Sequence, residues 1–257
     1  MQNKLNRLYA QYNRRKYVHP DPLEFLYRFP ARRDREVAGL IAACLAYGRV
    51  GQILKSVSAV LEPMGDSPHE FLAAAPAPEI SATYAHLVHR FATGDHIAAL
   101  LTGIKQIIKT YGALYECFLD GFSPADESIL PALTHFTDRL RSAAGAGGVG
   151  HLIPCPAKKS ACKRLHLYLR WMVREDAVDP GGWDRIPAAK LLVPVDIHMH
   201  RIGRMLNLTS RSQADLKTAV EITQGFRKWA PDDPVRFDFA LTRFGIRPDM
   251  DFKNIFI

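Results

Sequence analysis

Asp196 is the residue whose position most directly suggests chemistry. It follows the apolar residues 193–195 and precedes the amphipathic segment 197–206, so the sequence predicts that its side chain caps a helix. The free backbone N–H groups and the dipole of a helix hold a carboxylate at this position in its ionised form. An ionised carboxylate can stabilise the positive charge that develops on a sugar when a glycosidic bond breaks. Most capping aspartates only cap, so the pattern by itself leaves both roles open.

A basic helix face upstream of Asp196 is the second chemical feature. The segment 160–174 has apolar residues at helical spacing, and Ser160 is placed to cap the predicted helix. A different face of this helix carries basic side chains with an aromatic residue at its edge: Lys163, Arg170, Arg174 and Trp171. Such a face is either solvated or binds an anionic ligand, and its composition does not decide between the two.

The net charge of the chain limits the kind of partner. Among 257 residues, Lys and Arg number 34 and Asp and Glu 26, so the net charge is +8. This balance favours partners that carry phosphate, such as nucleic acid, an anionic membrane or a nucleotide substrate. No segment approaches the roughly 18 apolar residues of a membrane span, and no signal-peptide pattern follows the first residues. We therefore expect a cytoplasmic protein without a membrane-spanning segment.

The cysteines give no sign of a metal centre. They are scattered through the chain, at Cys44, Cys117, Cys155 and Cys162. This spacing fits neither a disulfide framework nor paired zinc-binding loops. We expect reduced thiols, no bound metal and no cofactor.

The elements that position these residues are predicted to be helices. Convincing strand patterns of period two are almost absent, and apolar residues recur at helical spacing through most of the chain. Three predicted helix starts combine a capping residue with a following proline: 21–22, 67–68 and 233–234. Further helices are predicted after a capping Asp34, over 97–110 and over 126–141. The sequence therefore predicts an all-α fold.

Two breaks interrupt the predicted helices. Residues 143–150 are rich in glycine, which predicts a loop or hinge before the basic helix. Residues 179–182 contain proline and two glycines and separate the basic helix from the segment around Asp196. The two chemical features thus lie on separate helices.

A family resemblance connects these two features. The segment 193–202 resembles the segment that bears the catalytic aspartate in helix-hairpin-helix base-excision DNA glycosylases. The segment 163–171 is similar to the nucleophile-bearing helix of the archaeal 8-oxoguanine glycosylase type, with Lys163 in the place of the nucleophile, 33 residues before Asp196. The whole chain also looks like an uncharacterised bacterial family related to these enzymes. The resemblance implies that an amine attacks the sugar while a carboxylate supports the reaction at the anomeric carbon.

A second lysine is the alternative nucleophile. The segment 153–161 copies the outline of the hairpin motif in this family, although both glycines of the motif are absent. In that alignment Lys159 occupies the nucleophile position. We favour Lys163, and Lys159 stays open as the alternative.

Further roles are implied by the resemblance. Enzymes of this kind flip the target base out of the duplex into a pocket, because a stacked base is not accessible. Contacts to the flipped nucleotide are expected from five residues: Tyr47, Arg170, Trp171, His198 and Asp238. Contacts to the DNA backbone are expected from three arginines: Arg49, Arg174 and Arg201. The iron–sulfur cluster of some members is not expected, since no cysteine follows Cys162.

The resemblance also implies an architecture of two helical lobes with a cleft between them. A middle helical barrel is expected over residues 34–174, and a second lobe combines residues 1–33 with residues 179–257. We expect a monomer that binds double-stranded DNA across the cleft, where Lys163 and Asp196 meet. The expected activity is removal of a damaged base, for example an oxidised purine, with or without a following lyase step.

Two other functions fit parts of the sequence. Asp196, His198 and His200 resemble the metal-binding Asp-x-His-x-His of barrel-type hydrolases, but that chemistry needs both histidines on a strand, and on a helix they diverge. The stronger alternative is a non-catalytic nucleic-acid-binding protein on a glycosylase-like fold. It is favoured by departures in the recognition pocket, such as Thr242, where the family has an aromatic residue.

Overall fold

Helices dominate the protein. The structure, a computed structural model, describes residues 1–145, 148–247 and 250, and the predicted all-α class is confirmed. The α-helices are α1 (Gln2–Tyr12), α2 (Arg32–Leu45), α3 (Val50–Leu61), α4 (Pro68–Ala74), α5 (Ala77–Tyr84), α6 (Gly94–Tyr111), α7 (Leu114–Asp120), α8 (Leu130–Ala143), α9 (Lys163–Val173), α10 (Ile197–Met205), α11 (Leu216–Arg227) and α12 (Asp238–Ile246). Short 3-10 helices cover Arg15–Tyr17, Pro22–Arg28, Glu62–Met64, Pro156–Lys158 and Ala188–Lys190. None of the helices in the described residues is both long enough and apolar enough to span a membrane.

A two-stranded hairpin is the exception to the helical pattern. Strands β1 (Val88–His89) and β2 (Ala92–Thr93) pair in antiparallel register, with Val88 opposite Thr93. Each strand has only two residues, so an alternating pattern could not appear in the sequence.

The chain divides into two compact units, which we describe separately. The discontinuous unit comprises Met1–His19 with Pro156–Ile257, and the continuous unit comprises Pro20–Cys155. The division differs from the expected lobe boundaries at residues 34 and 174, because α9 belongs to the discontinuous unit. Within this unit, arginines of α9 pair with Asp179, Asp233 and Asp238, and Tyr168 of α9 packs against Trp183.

The continuous unit is built around α6, which packs against α4, α5, α7 and α8. The predicted helix over 97–110 lies within α6 and is confirmed. The predicted helix over 126–141 begins later, at Leu130, because Pro131 in its first turn favours a start there. The predicted glycine-rich loop follows α8, and its residues 146 and 147 lie outside the described residues.

Two acidic residues of α2 hold other helices in this unit. Asp34 was predicted to cap its own helix, which is wrong: its Oδ1 accepts hydrogen bonds from the Ser67 hydroxyl (2.7 Å) and the His69 N–H (3.0 Å) at the start of α4. Glu36 is fully buried and accepts two backbone N–H groups at the start of α7, at 2.7 and 3.2 Å. The N-terminal N–H groups of a helix need acceptors, and here a neighbouring helix supplies them.

The other predicted helix starts have mixed outcomes. Ser67 caps α4 as predicted, and Asp21 caps the 3-10 helix that follows it. The start predicted at residues 233–234 is wrong: α12 begins at Asp238, and the Asp233 carboxylate accepts hydrogen bonds from Arg174 instead. Ser160 does not cap α9 either, because the helix starts three residues later, at Lys163.

In the discontinuous unit, α12 packs against both α1 and α10. Its core contains aromatic pairs, among them Tyr168 against Trp183 and Phe226 against Phe237, with ring centroids 5.3 and 5.8 Å apart. The predicted break at residues 179–182 is confirmed, because no α-helix lies between α9 and α10 in this described segment. Ion pairs connect α9 to the two neighbouring helix starts: Lys163 pairs with Asp196 before α10, and Arg170 pairs with Asp238 at the start of α12.

Candidate active site

Asp196 divides its two carboxylate oxygens between two tasks. Its Oδ1 accepts the backbone N–H groups of His198 and Met199, both at 2.9 Å, so the predicted capping of α10 is confirmed. The predicted core positions Met199 and Ile202 of this helix are buried. The cap fixes the carboxylate, and its second oxygen, Oδ2, points to the neighbouring helix.

Lys163 is the first residue of α9 and lies opposite that second oxygen. Its Nζ is 3.6 Å from Asp196 Oδ2. The side chains of Lys163 and Asp196 are 31% and 23% exposed, so a molecule in solvent can reach both. The preceding residue, Cys162, has a left-handed backbone (φ 43°), which turns the chain into the helix. The structure thus brings together the two residues that the sequence singled out for catalysis.

Lys159 lies in the turn before α9. Its side chain is exposed, and its carbonyl accepts the Leu216 N–H at 3.2 Å. In the described residues it forms no ion pair, unlike Lys163. The contact to an aspartate therefore distinguishes the two candidate lysines.

Arg174 is not available to DNA, contrary to the sequence-based expectation. It is 5% exposed and lies in a buried ion-pair network. Its guanidinium pairs with three carboxylates, those of Asp176, Asp179 and Asp233. A guanidinium that is occupied in this way cannot reach a phosphate, so the assignment of Arg174 to the DNA backbone is corrected.

Arg170 is likewise buried, at 3% exposure. Its Nε and Nη2 are each 3.1 Å from Asp179 Oδ1, and its Nη1 donates to Asp238 Oδ2. Arg170 therefore positions two carboxylates rather than facing a ligand, which corrects the expected contact to a flipped nucleotide.

The carboxylates of this network were not singled out from the sequence. Asp179 is fully buried, and burial raises its pKa to about 6, although Arg170 and Arg174 act in the opposite direction. Asp176 accepts the Tyr9 hydroxyl at 2.8 Å and the N–H groups that close the turn after α9. A signal was present: aspartates follow the arginine-bearing helix within a few positions.

Asp238, an expected substrate contact, lies at the start of α12 and is 3% exposed. Its Oδ2 accepts from Arg170, and its Oδ1 has no hydrogen-bond partner among the described residues. Burial raises the pKa of Asp238, Arg170 opposes this shift, and Asp196 adds to it. Lys163 is also among the charges that act on Asp238, so this carboxyl group belongs electrostatically to the candidate site.

Two buried aromatic side chains, Trp171 and His166, follow Lys163 along α9. Trp171 is fully buried, so the expected contact between this residue and a flipped base is corrected. His166 is 1% exposed, neither of its ring nitrogens has a hydrogen-bond partner in the described chain, and burial lowers its pKa to about 4. A neutral imidazole therefore fills the space one turn behind Lys163.

The solvent side of α10 is basic and apolar. Ile197 is 76% exposed, and Arg201 and Arg204 follow it at helical spacing, both exposed. His198 is half-buried next to Asp196, and His200 Nε2 lies 2.9 Å from the Arg211 carbonyl. In the described residues, no group of three or more His, Cys, Asp or Glu side chains is arranged to hold a metal ion.

The continuous unit has its own basic and aromatic surface around the hairpin. The Tyr47 hydroxyl donates to the His89 carbonyl at 2.8 Å, and its ring packs edge-on against His151, with centroids 4.9 Å apart. At the hairpin tip Phe91 is 71% exposed beside Arg90, whose guanidinium lies 5.3 Å from the ring centroid. This tip was missed in the sequence because its strands are so short.

Arg49, an expected DNA contact, precedes α3 in the continuous unit and is exposed. It follows Tyr47 and Gly48, and Gly48 lies next to the Arg90 side chain. Arg49 and Arg90 thus add positive charge to the surface that carries Tyr47 and Phe91.

Comparison of the chain with curated proteins and with solved structures gives no significant match. One family, described as a protein of unknown function (DUF2400), matches residues 21–247. The matched region includes the Lys163–Asp196 pair, the buried network of α9 and the hairpin. Because it covers most of the sequence, the chain belongs to the DUF2400 family.

Proposed function

We propose that this protein is a base-excision DNA glycosylase in which Lys163 is the nucleophile and Asp196 the supporting carboxylate. The observation that carries the proposal is the 3.6 Å ion pair between them, formed at the starts of two helices and partly open to solvent. The cap uses only one oxygen of Asp196, so the other is directed at the amine. An amine beside a fixed carboxylate is the pair of groups that displacement at an anomeric carbon requires.

The proposed reaction follows from these positions. Lys163, whose side chain is partly exposed, first loses a proton to solvent, and its neutral Nζ attacks C1′ of the damaged nucleotide. The bond between C1′ and the base breaks, and its electron pair leaves with the base. Asp196 Oδ2 stabilises the positive charge on the sugar. Nζ then passes a proton to O4′ of the sugar as the bond between C1′ and O4′ breaks. The opened sugar is held as a protonated Schiff base between C1′ and Lys163, which permits a following lyase step.

Two surfaces support nucleic acid as the partner. The first surface is on α10. It begins with the exposed Ile197, directly after Asp196, and continues with Arg201 and Arg204. In the continuous unit, Arg49 and Arg90 accompany Tyr47 and the exposed ring of Phe91. Basic side chains attract phosphate, and exposed aromatic rings stack on bases, so each surface has the composition expected of a DNA contact.

The substrate that we propose is a damaged base, for example an oxidised purine, in double-stranded DNA bound by a monomer. Of the expected contacts to the nucleotide, Tyr47, His198 and Asp238 stay candidates. Arg170 does not, because its buried guanidinium is paired with Asp179 and Asp238, whereas one oxygen of Asp238 has no hydrogen-bond partner among the described residues. Trp171 does not, because its side chain is fully buried.

A non-catalytic nucleic-acid-binding protein is the second candidate function. It is favoured by that burial of Arg170 and Trp171, which removes two of the groups expected to recognise a base. It also accounts for the two basic surfaces without any reaction. The Lys163–Asp196 pair argues against it, because binding alone gives no reason to direct a capping aspartate at an amine.

Borohydride trapping on duplexes with different lesions tests the proposed function. We expect a covalent adduct with at least one lesion, and Lys163→Gln should abolish it while DNA binding persists. Lys159→Gln, in the exposed turn before α9, is the matched control and should still form the adduct. Asp196→Asn keeps the amine but loses the charge, so its rate should fall by about 10²- to 10³-fold.

Each opposite outcome has a clear meaning. An adduct in Lys163→Gln that is lost in Lys159→Gln would make Lys159 the nucleophile. Salt-dependent DNA binding without an adduct for any lesion would favour the non-catalytic function. Because Asp196→Asn also weakens a helix cap, which is worth about 1 kcal/mol, its melting temperature must be measured alongside the rate.

A further inference from the structure

Two carboxyl groups in different surroundings act on Lys163. Asp196 is partly exposed, and two backbone N–H groups donate to one of its oxygens. Asp238 is almost completely buried, and only one of its oxygens is hydrogen bonded. Exposure and N–H donors favour the charged form of a carboxyl group, whereas burial without a partner favours the protonated form.

The surroundings of Asp238 leave one oxygen for a proton. Arg170 Nη1 donates to Oδ2, which holds the carboxyl group in place. The remaining nitrogens of Arg170 that contact carboxylates are directed at Asp179, so this cation is shared between two acids. Within the described residues, Oδ1 of Asp238 has no donor or acceptor. A buried polar atom without a partner is costly, and a ligand that hydrogen bonds to it would remove that cost.

The charged groups that face Asp238 come from three sources. From α9 these are Arg170 and Lys163, and from the start of α10 it is Asp196. Arg243 lies on the same helix as Asp238, with its guanidinium 4.4 Å from the Phe239 ring centroid.

Helix α1, which also packs on α12, contributes aromatic rings and carries two basic residues, Lys4 and Arg7. Tyr9 and Tyr12 contact Phe237 and Phe244, and the Tyr9 hydroxyl donates to Asp176.

We propose that Asp238 is the general acid of this site, which gives the proton on its Oδ1 to the departing base. The inference rests on the proposed function and names the group that completes its reaction. As Lys163 Nζ forms its bond to C1′, the bond from C1′ to the base nitrogen breaks and the electron pair stays on the base. The base takes the proton from Asp238, which becomes a carboxylate held by Arg170.

The division of roles between the two carboxyl groups follows a general pattern of glycosidic bond cleavage. One group, kept protonated by burial, assists the leaving group, and the other stays ionised and stabilises the sugar. Here burial raises the pKa of Asp238, and the nearby Asp196 carboxylate raises it further, while Arg170 limits the shift. The surroundings therefore favour a protonated Asp238, as a general acid requires, and an ionised Asp196, as stabilisation of the sugar requires.

Two DNA substrates separate a general acid from a residue that only positions Lys163. The first carries the neutral damaged base identified by the trapping screen, and the second carries a preformed abasic site, from which no base departs. Asp238→Asn should release the base about 10²-fold more slowly. Its borohydride adduct with the abasic site should form at the wild-type rate, because in that reaction there is no departing base for Asp238 to protonate.

Asp233→Asn is the matched control for loss of a network carboxylate. Asp233 pairs with Arg174 and is 28% exposed, and it is not among the charges that act on Asp238. This variant should be unchanged with both substrates. The melting temperatures of the two variants show whether either has lost the fold.

The wild-type protein provides a test that needs no variant. The ratio of the base-release rate to the rate of adduct formation with abasic DNA should fall as the pH rises through the pKa of Asp238. Both reactions need the neutral amine of Lys163, but only base release needs the protonated acid. Adduct formation with the abasic site should not slow over that range.

Several results would overturn the inference. If Asp238→Asn slows base release and abasic adduct formation equally, Asp238 has a structural role only. If this variant releases the base at the wild-type rate, Asp238 is not the acid. A ratio of the two rates that does not fall with rising pH would also exclude the acid role. Failure of the wild-type protein to form an adduct even with abasic DNA would instead reject the proposed function, and the acid role with it.

Discussion

The two basic helix faces of the discontinuous unit have similar sequences and different surroundings. On α9, Arg170 and Arg174 are 3% and 5% exposed and are paired with aspartates of the same unit. On α10, Arg201 and Arg204 are exposed at the surface. Both faces look like candidate phosphate-binding sites in the sequence, but only the second has guanidinium groups at the surface.

The difference shows that the partners of a charge, rather than its spacing, decide what the charge does. The arginines of α9 neutralise Asp179 and hold Asp238 next to Lys163, so they act on the site through other residues. Those of α10 lie beside an exposed apolar residue and suit an external anion. Stability and binding should therefore be affected separately by substitutions on the two helices.

The largest effect is expected for Arg174→Ala. This change leaves Asp179 buried without one of its two cations and removes the partner of Asp176 and Asp233. Breaking a buried ion pair by removing one partner typically costs about 3–5 kcal/mol. Denaturant unfolding should show a loss of this size, and a loss below about 0.5 kcal/mol, typical of surface substitutions, would contradict the buried network.

The pH dependence of stability should reveal Asp179. Its folded-state pKa is raised to about 6 by burial, so its protonated form stabilises the fold below about pH 4, and this contribution is lost as the pH rises through 6. Asp179→Asn lacks this titration. The unfolding free energy of the wild type, relative to that of the variant, should therefore fall by on the order of 2–3 kcal/mol between pH 4 and 7. A difference that is constant over this range would exclude the raised pKa.

The smallest effect on stability is expected for the exposed face. Arg201→Ala and Arg204→Ala should each change the unfolding free energy by less than about 0.5 kcal/mol. Each should instead weaken DNA binding and reduce the salt dependence of the affinity by about one ion. Lys217→Ala, an exposed basic residue of α11, is the control and should leave the salt dependence unchanged. Equal effects of all three substitutions would assign no special role to the α10 face.

The local features of the site could be predicted from the sequence. The Asp196 cap joins atoms only two and three residues apart, so residue type and helical periodicity were sufficient. The pairing of Lys163 with Asp196 spans 33 residues. It was expected only through a family resemblance, because no local pattern connects two helix starts.

What could not be predicted depends on distant partners. Arg170 and Arg174 lie on the basic face of α9, and their pairing with Asp179, Asp233 and Asp238 compensates their burial. Asp34 was assigned to the nearest helix by the same local rule that worked for Asp196. In its case a tertiary contact to the start of α4 prevailed.

The discontinuity of the unit that carries Lys163 has a consequence for biosynthesis. Helix α1 is made before the other helices described here, yet it packs on α12, which is made after them. The continuous unit between them can fold while the ribosome is still translating, since domains fold as units from the N-terminal side. The amine and the two acids of the proposed reaction therefore come together only when translation reaches α12, and a nascent chain that ends earlier lacks the assembled candidate site.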